Sequence, residues 1–286
     1  MKRLDPSVNN LSVIDLEENL FQGTWQPLDL DKILEDKQQH YEYHKLVALL
    51  QEFPIGKRKI CLVNPFQIKP DLADLTTIKN KRYQDYPPLG LMYLSSAVRS
   101  FAPSWDVDIV DLHLETLKRT LNGEAHDFES IMQSIADDYD FYGVSMMFEA
   151  WEPMVVRVLE FLQKRGKLMV VGGVHGSVTY ENLLDLDLCN IVIKKEGESQ
   201  FVKLLNMWES VHSADFQLNG KYQEINNLSF RYREDVVSFQ DKFENPVALD
   251  IRKEWDSIDL DGYNKHGAPT IWPRIQKPNR KWSIMI

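Results

Sequence analysis

Between Lys57 and His212 five short apolar runs alternate with five longer segments of helical period, and this alternation restricts the fold more than any other feature of the chain. The runs are KICLVN, DVDIVDL, FYGVSMM, KLMVVGG and NIVIKK; the segments that follow them include PPLGLMYLSSAVRSFA, DFESIMQSIADDY, EPMVVRVLEFLQKRG, SVTYENLLDL and ESQFVKLLNMWESV. In the third segment Met154, Val155, Val158, Leu159 and Leu162 share one helical face, Pro153 suits a first turn and Gly166 a stop. Strand then helix, five times over, predicts a doubly wound α/β fold: a five-stranded parallel sheet covered on both faces.

Three segments are expected. Residues 1–56 form an amino-terminal helical arm, an accessory piece with no chemistry of its own; residues 57–215 form the α/β domain. Residues 216–286 begin with a hairpin, INNLSFRYREDVVSF, with Glu234-Asp235 at or near its turn, and continue as a connector rich in Pro, Asp and Trp. The 286 residues carry a formal charge of -10, which argues against a nucleic-acid surface. No apolar run is long enough to span a bilayer, and no signal-peptide segment opens the chain, so a cytoplasmic location without a membrane partner is expected. Cys61 and Cys189 sit inside strand-like runs and read as buried structural thiols rather than metal ligands or a disulfide.

In an open parallel sheet, ligands bind beyond the carboxyl ends of the strands. A dinucleotide fold is the first reading, with Asp111 closing the second strand, but the first strand runs into NPFQIKP and neither G-x-G-x-x-G nor G-x-x-x-x-G-K-[ST] occurs. The glycines follow the fourth strand instead, in VVGGVHG. They suit either tight strand-to-helix packing or close approach by a ligand.

A sheet with its glycine pair there resembles the cobalamin-binding domain. In that family's usual form D-x-H-x-x-G follows the first strand, S-x-L the third and G-G the fourth. Here Ser145-Met146-Met147 stands for S-x-L and Gly172-Gly173 for G-G, whereas Asn64-Pro65-Phe66 replaces the first motif. That departure resembles one branch, the cobalamin-binding amino-terminal domains of radical S-adenosylmethionine enzymes. Their marks are N-P, P-P-L-G-L-x-Y-L, G-G-x-H and G-E-G-E. They match Asn64-Pro65, the run from Pro87 to Leu94, Gly172-Gly173-Val174-His175 and Glu196-Gly197-Glu198, with Lys195 in place of the first glycine of the last motif.

The resemblance implies a cobalamin cofactor with its nucleotide tail in a slot beside the sheet, contacted by Asn64, Pro65, Phe66, Ser145, Met146, Met147, Gly172, Gly173, Val174, His175, Glu196, Gly197 and Glu198. It implies base-off binding with no histidine on cobalt, since the first loop carries none, and no protein metal ligand. His113 and His175 are the nearest imidazoles by topology. The aromatic residues Phe66, Tyr86, Phe148 and Trp151 are either core or a shield for the corrin.

It further implies a radical enzyme, a methyltransferase or a ring-forming one, whose iron-sulfur cluster and S-adenosylmethionine belong to a barrel opening with C-x-x-x-C-x-x-C. The sequence ends about where that motif would start, so the barrel is expected in cis beyond a truncation or on a separate chain, and these residues alone are expected to be catalytically silent. Two rival readings remain, a degenerate domain with a structural role, hinted at by Met147 and Lys195, and a module for a nucleotide or flavin.

Overall fold

The computed structural model describes residues 30–79, 86–216, 225–243 and 247–266. Its elements, in chain order, are α1 (Leu30–Gln51), β1 (Lys59–Asn64), α2 (Leu75–Lys79), α3 (Leu89–Phe101), β2 (Asp106–Asp111), α4 (Leu112–Asn122), α5 (Phe128–Gln133), β3 (Phe141–Ser145), α6 (Glu152–Gln163), β4 (Leu168–Gly172), α7 (Val174–Asp185), β5 (Ile191–Ile193), α8 (Glu198–Val211), β6 (Leu228–Tyr232), β7 (Asp235–Ser238) and α9 (Leu260–His266). The chain divides into compact units at residues 1–38 and 39–286; of the first, the described residues 30–38 are helical.

The five expected strands pair in parallel in the order β2-β1-β3-β4-β5. Both faces are buried, and the period-2 alternation of each strand splits the core in two. Ile60, Leu62, Phe141, Leu168, Val170, Ile191 and Ile193 point to the face covered by α1, α3 and α8. Cys61, Val63, Tyr142, Val144, Met169, Val171 and Val192 point to the face covered by α5, α6 and α7. The expected apolar stripe of α6 is buried residue for residue, Pro153 lies in its first turn, and Gly166 turns the chain with φ 62. Burial pushes both thiols, Cys61 and Cys189, well above the ordinary cysteine range, consistent with packing atoms rather than nucleophiles.

Two expectations are corrected. The helix of the amino-terminal arm is more than an accessory from residue 43 on: Tyr43, Leu46 and Leu50 are buried in the first core, Tyr43 stacks on Phe239 at 4.5 Å, and its hydroxyl donates to the Ile225 carbonyl at 2.6 Å. The charged, weakly periodic sequence of α1 hides this because its apolar residues bunch at the carboxyl end. The hairpin turns at Arg233-Glu234, as expected at or near Glu234-Asp235, with Arg233 at φ 58, but it is not separate from the sheet. β6 pairs antiparallel with β5, so the sheet has seven strands.

The connector then crosses the first face. A 3-10 turn at Ile251–Asp256 lies against α3, where Glu254, 1% exposed, accepts from the Ser95 hydroxyl at 2.5 Å and pairs with Arg99 at 3.2 Å. At the far edge of the sheet Tyr263 of α9 donates to Asp111 at 2.5 Å, and Lys118 pairs with Asp259 at 2.7 Å.

Candidate functional site

β1 has β2 on one side and β3 on the other, so the connections leave the sheet in opposite directions at the β1/β3 boundary, and a crevice opens at the carboxyl ends there. On the first face this crevice is a cavity of about 340 Å³. Its floor is Leu62, Gly143 and Val170; one wall is Gly90, Leu91 and Leu94 of α3, and the other is Ile193 and Phe201. The rim is made by Ser145, Met147, Gly172, Gly173 and Val174 on one side and by Lys195, Glu196, Gly197 and Glu198 on the other. Its volume lies within the range of about 300–1,000 Å³ usual for small-molecule sites.

Glycines make the space, each in a different way. A Cβ at Gly90 would meet nothing within 4 Å, and one at Gly172 would meet only the Ile193 carbonyl oxygen at 3.7 Å, so both positions are bare where a side chain would enter the cavity. Gly143 has less room, since a Cβ would lie 2.8 Å from Leu62 Cδ2. Gly173 answers a different need. Its φ is 102, and a Cβ would stand 2.7 Å from the Met146 carbonyl oxygen, so the strand-to-helix turn itself requires glycine. The two readings of the glycine pair are thus divided between its members, Gly172 bordering the cavity and Gly173 serving the turn as well.

Of the residues singled out from the sequence, the cavity brings together Ser145, Met147, Gly172, Gly173, Val174, Glu196, Gly197 and Glu198. Asn64, Pro65, Phe66, Met146 and His175 do not line it. Phe66 and Met146 are wholly buried in the second core, Phe66 with its ring 5.5 Å from Phe128. Asn64 faces the cavity side of the sheet, but its amide donates to Asp111 at 2.7 Å, and Pro65 follows it into the interior. His175, in the first turn of α7, pairs through Nε2 with Glu152 at 2.7 Å. His113 is buried in α4. Phe148 and Tyr86 stay outside the cores, 56% and 50% exposed, whereas Trp151 packs partly buried against the second core and on Phe148 at 4.6 Å.

Gly143, Gly90, Leu91 and Leu94 were missed as site residues. A glycine inside an otherwise apolar strand was the available signal for the first. For the others it was the P-P-L-G-L motif, read as a family mark without a place at the site.

Asp111 ends β2, caps α4 through the Leu114 amide at 2.8 Å and also takes Asn64 and Tyr263. Burial raises its pKa above the ordinary carboxylate value, and the donors around it pull the other way. A carboxyl that holds its proton more tightly folded than unfolded favours folding at low pH, and that contribution fades as pH rises through the folded pKa. Asp111→Asn should therefore gain stability relative to the parent chain as pH rises above the ordinary carboxylate value of about 4. The difference between their urea unfolding free energies across that range checks it.

Two further hollows, of about 420 and 480 Å³, lie away from this crevice. Arg165 there bonds the Ala136 and Ile135 carbonyls, Arg119 pairs with Glu115, and Lys118 with Asp259. Among the described residues no group of three His, Cys, Asp or Glu is arranged to hold a metal ion, and no helix is long and apolar enough to cross a membrane.

No curated protein sequence gives a match to this chain. Among solved structures, the radical S-adenosylmethionine methyltransferase TsrM from Kitasatospora setae, with cobalamin and a 4Fe-4S cluster bound, is 15% identical with a TM-score of 0.46, over 67% of this chain and 30% of that one. The cobalamin-dependent S-adenosylmethionine radical enzyme OxsB is 16% identical with a TM-score of 0.40, over 66% of this chain and 23% of that one. The chain thus spans less than a third of the length of these structures. A family model matches directly: residues 75–205, from α2 through most of α8, and with them every part of the cavity except Leu62, are matched by the B12 binding domain. Residues 75–205 are thus similar to the B12 binding domain.

Proposed function

We propose that this chain binds cobalamin in the base-off state and presents it to a radical S-adenosylmethionine barrel supplied in cis or in trans. The observation that carries the reading is the cavity at the β1/β3 boundary, kept open by Gly90, Gly143 and Gly172 and lying almost wholly inside the matched segment. The residues present fit the group. About 340 Å³ is too little for a corrin but of the size of a heteroaromatic base with its sugar, and the lining is mainly apolar below and polar at the mouth. A base held there is a base removed from the metal.

Bound cobalamin supplies a cobalt centre able to carry a methyl group. The chain's own part is to bind and orient. Leu62, Val170, Leu91, Leu94 and Phe201 exclude water from the base, and the Ser145 hydroxyl stands at the rim beside Gly172. Met147, Phe148 and Val174, respectively 39%, 56% and 66% exposed, offer apolar surface beside the mouth for the larger ring. Neither of the two nearest imidazoles lines the cavity: His175 pairs through Nε2 with Glu152, and His113 is buried in α4. The reaction favoured by the motif resemblance is methyl transfer or ring formation on a substrate held outside these residues.

The test is loading with hydroxocobalamin followed by gel filtration. The protein fraction should carry the cofactor with the absorbance of the base-off form. After reduction to cob(II)alamin, its electron paramagnetic resonance spectrum should lack nitrogen superhyperfine splitting. Colourless elution would exclude cobalamin binding; splitting that disappears in His113→Ala or His175→Ala would show a histidine ligand.

A further inference from the structure

Lys195 stands where the related domains carry glycine, and the backbone explains their choice: φ is 59, in the left-handed region where a side chain costs strain. This chain accepts that strain. The local frame is held by the Lys195 amide, which donates to the Ser177 hydroxyl at 3.1 Å, and by that hydroxyl, which donates to the Gly173 carbonyl at 2.9 Å. The loop after β5 is thereby tied to the first turn of α7 across the cavity mouth.

The ammonium group is only loosely engaged by the protein. Asp241 gives one oxygen to the buried Lys194 at 2.6 Å, while Lys195 lies 3.6 Å from the other, with its side chain 47% exposed. A long, exposed pair of that kind contributes little. Lys195 is also the one basic residue among the described residues that line the cavity, and the other charged ones are Glu196 and Glu198. Without Lys195 the charged side chains that line the cavity would be carboxylates alone.

A base seated in the cavity brings an anion with it, because a phosphodiester joins the nucleotide tail to the corrin. We propose that the Lys195 ammonium binds that phosphate, so that this chain selects corrinoids with a complete nucleotide tail over those without one. The inference rests on the proposed cobalamin reading and concerns a residue that departs from the family pattern. The strained lysine is here a binding group, not a mark of decay.

The experiment titrates the full 286-residue chain with hydroxocobalamin and with dicyanocobinamide, which lacks phosphate, ribose and base, following tryptophan fluorescence at low and high salt. Lys195→Gln should weaken hydroxocobalamin binding about tenfold, the scale of one charge-assisted hydrogen bond, and change dicyanocobinamide binding less than about twofold. Lys195→Gly relieves the backbone strain and should lose the same factor with an unchanged or higher melting temperature; Lys195→Arg should recover most of it. Salt should weaken the parent more than either neutral variant.

Equal hydroxocobalamin affinity in the parent and Lys195→Gln would overturn the assignment while leaving the cobalamin reading intact. Parallel losses for both corrinoids would overturn it too, as a general effect of the loop. A parent chain that binds neither corrinoid would overturn both readings.

Discussion

Gly172→Val should fold with the parent's melting temperature and bind cobalamin clearly more weakly, whereas Gly173→Val should be clearly less stable than the parent. The two glycines are adjacent, yet the surroundings of their missing side chains differ. At Gly172 a Cβ finds ordinary contact with the Ile193 carbonyl at 3.7 Å, and the branches of a valine would occupy the cavity rather than the core. Overpacking there should cost about 1–3 kcal/mol of binding, roughly tenfold or more in hydroxocobalamin affinity. At Gly173 the backbone is at φ 102 and the Cβ lies 2.7 Å from the Met146 carbonyl oxygen, which itself receives the Gly176 amide. Strain of about 1–3 kcal/mol adds to displacement of that turn, so unfolding in urea should move to clearly lower concentration. Equal cofactor retention by Gly172→Val and the parent would remove the cavity from the binding account.

The second large effect is expected at Glu254, remote in sequence from every strand-end motif. Its carboxylate is buried against α3, where it accepts from Ser95, itself wholly buried, and pairs with Arg99. Glu254→Ala strands the Ser95 hydroxyl and loosens the 3-10 turn, at a cost of about 2 kcal/mol or more. Arg99→Ala should cost less than about 1 kcal/mol, because that guanidinium is 48% exposed. Urea midpoints should rank the variants in that order, and limited proteolysis should cut the connector of Glu254→Ala sooner. A midpoint for Glu254→Ala equal to the parent's would mean that the connector is not held through this carboxylate.

The parallel sheet was legible because strands buried on both faces read as unbroken apolar runs and the helices between them carry clean stripes, α6 being the plainest case. The place of the site followed from topology, since Ser145 and Gly172 face each other in register at the ends of β3 and β4. What could not be read is what depends on partners distant along the chain. Asn64 looked like a cofactor contact because N-P is a family mark; nothing local says that its amide is taken by Asp111 across the strand pair. Phe66 lies one residue beyond Pro65 and falls into the second core. Tyr43 carries no local sign that it will stack on Phe239. The pairing of β6 with β5 is set by an edge and not by the period of the hairpin, which looks the same whether it stands alone or extends a sheet.

α3 serves two masters along its length: Gly90, Leu91 and Leu94 wall the cavity, and Ser95, Ser96 and Arg99 receive the connector. The order of synthesis gives that arrangement a consequence. All five parallel strands exist once residue 193 has been made, but Ser95 must wait for Glu254, 159 residues later, Asp111 for Tyr263, 152 later, and Tyr43 for Ile225, 182 later. A chain that emerges from the ribosome amino end first can therefore assemble its sheet early, pack α3 on it, and still lack the Ser95–Glu254 tie on α3 until the connector has been made.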